Sequence, residues 1–104
     1  MSSELILKEE YLSGEAKVFV SGEVDIYTAQ QFKDKLYNIV DNSSNDLVID
    51  CSGLNYIDST GLGIFVGVLK KTKLAGRSIR VENIKDNIRK LFIITGLDKL
   101  FNIH

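Results

Sequence analysis

The spacing of apolar positions changes several times along the chain, and each change marks an element. Leu5-Ile6-Leu7-Lys8 and Ala16-Lys17-Val18-Phe19-Val20 are strand-like runs. Ser13-Gly14 between them is a turn signal, which predicts an antiparallel hairpin. Gly22-Glu23-Val24-Asp25 breaks the pattern and is expected to open a loop. After Thr28 the spacing becomes helical: Ala29, Phe32, Leu36, Ile39 and Val40 step by three, four, three and one. Thr28 with Gln31 has the form of a capping box, in which each side chain satisfies a backbone N–H left free in the first turn. Asp41 to Asn45 ends that helix. Leu47 to Cys51 reads as a short buried strand, and Ser59 to Lys73 as a second helix. Lys70, Lys71 and Lys73 favour the negative end of its dipole, and Ala75-Gly76 stops it. Ser78 to Glu82 alternates like a half-buried strand. Ile84, Ile88, Leu91, Phe92 and Thr95 give a third helical face, closed by Gly96. Leu97 to Ile103 leaves a short turn and an edge strand. Residues 1–104 are therefore expected to form one layered α/β domain. Its mixed sheet has four to five strands, antiparallel at the opening hairpin and parallel where three to four helices cross over.

Composition narrows the chemistry. Thirteen basic and fourteen acidic residues give a net charge of −1, unlike a chain selected for phosphate backbones, so no nucleic-acid partner is expected. The single cysteine excludes an internal disulfide. The single histidine, His104, is the last residue, where chains fray. A Cys/His zinc site lacks ligands, and a Ser-His-Asp or Cys-His pair lacks a firmly held base. No catalytic residue, metal or cofactor of the chain's own is expected. Cys51, ending a buried strand, reads as a small core hydrophobe. The polar start Met1-Ser2-Ser3-Glu4 is unlike a signal peptide. The longest uncharged apolar tract, Ser59 to Leu69, is eleven residues, against roughly 20 for a membrane span. A cytoplasmic protein with no membrane contact is expected. Charge is uneven, however: residues 1–69 hold four basic and eleven acidic side chains, residues 70–104 nine and three. Either folding interleaves the two parts, or the C-terminal third offers a basic surface to an acidic partner.

The richest segment is Asn55-Tyr56-Ile57-Asp58-Ser59-Thr60-Gly61-Leu62-Gly63. Asp58 is the only charge between Asp50 and Lys70. Asp58 or Ser59 can serve as N-cap, worth about 1 kcal/mol. Three glycines, Gly61, Gly63 and Gly67, lie within the predicted helix at a cost of roughly 0.8–1 kcal/mol each relative to Ala. Gly63 and Gly67 share a face, and close packing against the sheet would account for them. Gly61, in the first turn, would let another molecule approach the hydroxyls of Ser59 and Thr60. A nucleophile elbow would need glycine where Ile57 stands. A phosphate-binding loop would need a lysine, and a dinucleotide fingerprint would need glycine at Val66. A nucleotide-binding small α/β domain is the alternative reading, resting on the Gly-rich helix start alone. The leading one is a hydroxyl that another protein modifies. A phosphate on Ser59 would be tolerated at a helix N-terminus, yet would place a dianion on an uncharged patch that a partner could then bury only at a large desolvation cost.

Three blocks carry a family resemblance: Gly22-Glu23-Val24-Asp25-Ile26-Tyr27-Thr28-Ala29, Tyr56 through Gly67, and Leu91-Phe92-Ile93-Ile94-Thr95-Gly96-Leu97. In order and spacing they resemble the bacterial anti-sigma factor antagonists of the STAS domain family, most nearly the general stress-response type. The resemblance implies a small STAS-type domain that is not an enzyme and works by partner switching. Unphosphorylated, such an antagonist binds an anti-sigma factor that is also a serine kinase, and the sigma factor is released. The kinase, with its own ATP and magnesium, phosphorylates the serine of Asp-Ser-x-Gly, here Ser59. A metal-dependent serine phosphatase reverses this. Thr60 follows directly, but the family pattern puts the phosphate on the first hydroxyl. The implied partner surface is Asp25, Asp58, Ser59, Thr60 and Gly61; nothing in the sequence suggests an obligate dimer, and a monomer is expected when the chain is free. For Asp25 a second reading stays open, as a solvated loop carboxylate or the cap of the first helix.

Overall fold

A computed structural model describes residues 4–103, with side chains through Phe101; Met1–Ser3 and the single histidine, His104, lie outside the described residues. The opening hairpin pairs β1 (Leu5–Leu12) along its whole length with β2 (Glu15–Val24), from Leu5 opposite Gly22 to Leu12 opposite Glu15. Ser13 and Gly14 both have positive φ (48° and 81°), as a type I′ turn requires for its twist to match the strands. The loop expected at Gly22 does not open there, and Gly22 stays paired opposite Leu5. Gly22 takes a φ of 109°, the Glu23 N–H donates to the Glu4 carbonyl (2.9 Å), and β2 continues to Val24.

There follow α1 (Ala29–Asn42), β3 (Asp46–Ile57), α2 (Ser59–Leu74), β4 (Ile79–Glu82), α3 (Asp86–Ile94), a 3₁₀ turn (Leu97–Lys99) and β5 (Asn102–Ile103). The sheet order is β1-β2-β3-β4-β5, and every pairing after the hairpin is parallel. Each helix thus moves the chain one strand further in the same direction. Right-handed crossovers of that kind put all the helices on one face. Four phenylalanines meet there. Phe65 of α2 packs against Phe32 of α1, Phe92 of α3 and Phe101, with ring centroids 5.4, 5.3 and 5.8 Å away. Such tilted and edge-on contacts add about 0.5–1.5 kcal/mol each to burial. β3 reaches six residues beyond the run that the sequence marks as a strand, because the partner strand follows it: Val24 pairs with Ile57.

The other face of the sheet carries a charge lattice. Lys17, Val48 and Arg80 form one row across β2, β3 and β4. Lys17 reaches Glu82 (3.3 Å) and Asp50 (3.9 Å), while Arg80 reaches Glu82 (2.9 Å) and Glu15 (3.1 Å). Val48 is fully buried although it lies outside the main core, which places it beneath the aliphatic stems of its row neighbours. Folding interleaves the acidic and basic parts of the chain at such points. Glu15 meets Arg80, and Asp41 meets Lys71 (2.7 Å). Arg77 is used differently, its guanidinium donating to the carbonyls of Val40, Ser43 and Asn45 at the end of α1. Cys51 is buried in the core, and burial pushes its thiol up to about 12, so it packs as an inert hydrophobe.

Candidate functional site

Because β2, β3 and β4 run parallel, their carboxyl ends and the starts of α1, α2 and α3 share one edge of the sheet. In α/β sheets that edge is where ligands are met. The first two crossovers are tied together by the Asp58 N–H, which donates to the Val24 carbonyl (3.3 Å). The β2–α1 loop and the start of α2 are therefore neighbours.

In the loop, the Asp25 carboxylate accepts from the N–H groups of Tyr27 (2.9 Å) and Thr28 (3.2 Å). The Asp25 side chain thus closes the turn that precedes α1, whose N-cap position is Thr28, at the same sheet edge as Ser59. The Thr28–Gln31 capping box does not form. Thr28 is buried, its hydroxyl donating to the Glu23 carbonyl (2.8 Å) and accepting from the Asp25 N–H (3.0 Å). The Gln31 amide donates instead to the Leu5 carbonyl on β1 (3.1 Å). The loop just before the helix claims Thr28, and a strand 26 positions away claims Gln31.

At α2 the extended backbone of Asp58 lets Oδ1 accept from the N–H groups of Thr60 (3.0 Å) and Gly61 (3.3 Å). Asp58, rather than Ser59, is the N-cap. Ser59 becomes the first helical residue; it is exposed, as is Thr60, and its hydroxyl bonds to no other described residue. The cap has a consequence for the alternative reading. The N–H groups that a nucleotide phosphate would need at this helix start are held by a carboxylate. Among the described residues no group of three or more His, Cys, Asp or Glu side chains could hold a metal ion, and no helix is long and apolar enough to cross a membrane.

The three glycines of α2 exchange their expected roles. Gly61 is buried: a Cβ there would lie 2.5 Å from Ile57 Cγ1 and 2.7 Å from Val24 Cγ1. Its missing side chain lets the helix start sit on the ends of β2 and β3, which corrects the expectation that it leaves room for another molecule. Gly67 packs against α1 rather than the sheet, with a Cβ falling 2.4 Å from Tyr37 Oη. Gly63, expected to pack on the sheet, is exposed, and a Cβ there would meet nothing within 4 Å.

Sequence reasoning missed the apolar groups around this site. Ile26 (66% exposed) and Tyr27 (76%) stand out from the β2–α1 loop, and Tyr56 (49%) stands on β3 opposite Glu23. A signal existed: Ile26-Tyr27 belongs to no strand or helix period, so no core claims it. Asn55 is the extra residue on β3 where the register shifts between the pairs Gly22–Leu54 and Glu23–Tyr56, and its side chain accepts from Lys85 Nζ at the start of α3.

The sequence profile of the STAS domain matches residues 11–104. The chain belongs to the STAS domain family. It is 39% identical over 87 residues to the anti-sigma-B factor antagonist of Bacillus subtilis, covering 84% of this chain and 79% of that one. It is 34% identical over 88 residues to the protein of the same name in Staphylococcus aureus, covering 85% and 82%. A crystal structure of an anti-sigma factor antagonist from Mycobacterium paratuberculosis superposes with a TM-score of 0.89 at 30% identity, over 97% of this chain and 86% of that one. The STAS fold thus accounts for the mixed sheet, the opening hairpin and the one-sided helical layer.

Proposed function

We propose that this chain is an anti-sigma factor antagonist, switched by phosphorylation of Ser59. Unphosphorylated, it binds an anti-sigma factor with serine kinase activity and so releases the sigma factor. The observation that carries this reading is Ser59 itself: an exposed hydroxyl, unbonded among the described residues, at the first position of α2, on a segment whose one charge is the Asp58 cap. The relatives' names supply the partner class. In the switch, the kinase transfers the γ-phosphoryl group of ATP to Ser59 Oγ, with loss of the hydroxyl proton and release of ADP. A serine phosphatase hydrolyses the ester and restores the hydroxyl. The phosphate takes the chain's net charge from −1 to about −3 and lands beside the Asp58 carboxylate. A partner seated on Ile26, Tyr27 and Tyr56 would then have to bury that charge unpaired. The fold need not change for binding to be lost. The protein acts in the cytoplasm, as a monomer when free.

The test is incubation with the cognate kinase and ATP, followed by intact mass and peptide mapping. One phosphate on Ser59, and loss of anti-sigma factor binding by the phosphorylated protein, are expected. An unmodified Ser59, or phosphorylated protein that binds as well as before, sinks the reading. Ser59→Asp is a weaker reagent, because one carboxylate carries less charge and fewer acceptors than a phosphate.

A further inference from the structure

Gly63 is the one glycine of α2 that the fold does not explain. A Cβ at Gly61 would meet Ile57 and Val24, and one at Gly67 would meet the Tyr37 hydroxyl. At Gly63 that space is open, and its φ lies outside the left-handed region that favours glycine. Alanine would fit, and would suit the helix better. Gly63 also lies one turn after Ser59, so the two share a helical face. That face continues through the half-buried Val66 and carries no charge until Lys70. The outward side of α1, in contrast, carries Gln30, Lys33, Asp34, Asn38 and Asp41. An uncharged outward stripe with a gap at its centre is a surface shaped for close approach from outside.

We infer that Gly63 is a contact residue of the anti-sigma factor, which approaches the Ser59 face of α2 closely enough to occupy the space that a Cβ at Gly63 would fill. This rests on the function proposed above. The occupant follows from continuity: the Ser59 hydroxyl and Gly63 lie on one face, so a protein seated against Gly63 covers Ser59 as well. Phosphorylation and this contact are then mutually exclusive, which couples the covalent switch to docking through a single surface.

The experiment compares wild type, Gly63→Ala, Gly63→Leu and the control Gln30→Ala, each titrated calorimetrically with the purified cognate anti-sigma factor and each melted alone. Gly63→Ala is expected to raise the melting temperature of the free protein by a few degrees while weakening binding at least tenfold. Gly63→Leu should abolish binding, and Gln30→Ala should leave it within twofold. Alanine and leucine have similar helix propensities. Loss of helix flexibility would therefore weaken both variants equally, whereas filling a contact gap deepens the loss with size. Equal losses, or Gly63→Ala binding like wild type, overturn the inference and leave the proposed function standing. If wild type fails to bind, the proposed function and this inference fall together.

Discussion

The two sides of α2 obey opposite rules. Inward, Gly61 is crowded by Ile57 and Val24, and Phe65 touches three other phenylalanine rings. Outward, Ser59 has no hydrogen-bond partner among the described residues and Gly63 has no neighbour within 4 Å of a Cβ. Two glycines only two residues apart therefore have unrelated reasons to be glycine. A residue that the fold explains is held by stability; one that the fold leaves unexplained at a cost of up to about 1 kcal/mol points outside the molecule. The same division separates the Asp58 carboxylate, which holds the helix, from the Ser59 hydroxyl beside it, which is exposed.

Several substitutions would break or sharpen this contrast. The largest effect belongs to the inward side. Phe65→Ala should cost about 3–5 kcal/mol, read from urea unfolding, because it opens a cavity among Phe32, Phe92 and Phe101. A cost below about 1 kcal/mol would mean that the cluster is not the centre of the core. Gly61→Ala should destabilise by about 1–3 kcal/mol through overpacking against Ile57 and Val24, although alanine favours a helix. Its opposite sign to the effect expected of Gly63→Ala is the sharpest single check, and a melting temperature at or above wild type would remove the distinction. Asp58→Ala should cost about 1 kcal/mol, since two N–H groups at the start of α2 lose their acceptor.

The smallest effect is an acid dependence that belongs to the open face of the sheet rather than to α2. Burial by itself raises the carboxyl pKa of Asp50. The Ser52 backbone and side chain, the Asn83 amide (2.8 Å) and Lys17 outweigh it and hold the group below its ordinary value. A depressed folded pKa means that the unfolded chain binds the proton more readily. The stability due to Asp50 is therefore complete above the ordinary aspartate range and is lost as pH falls through the folded value. Unfolding free energy measured from pH 7 downward should fall less steeply in Asp50→Asn than in wild type. Parallel curves would remove Asp50 from the account.

Much of the molecule was legible in the chain because its signals are local. The hairpin turn at Ser13-Gly14, the helical faces of α1 and α3, the stop at Gly76 and the alternation in β4 each follow from a period or a residue with special backbone freedom. The Asp58-Ser59 pair stood out for the same reason, as a lone carboxylate and a hydroxyl at a strand-to-helix change. What failed were readings in which a spacing motif competed with backbone groups outside it. Thr28 and Gln31 have the spacing of a capping box, yet the Glu23 and Leu5 carbonyls claim them. Gly22 reads as a strand breaker, yet pairing with the start of β1 carries β2 on to Val24.

The sequence by itself determined the order and kind of the elements and the chemistry left open to the chain: no histidine away from its last residue, one cysteine, and one uncharged segment around a serine. Only the tertiary structure decided which glycine is crowded and which is open. That depends on where Val24, Ile57 and Tyr37 come to rest, and no spacing along the chain encodes the distance between a missing Cβ and a side chain many positions away.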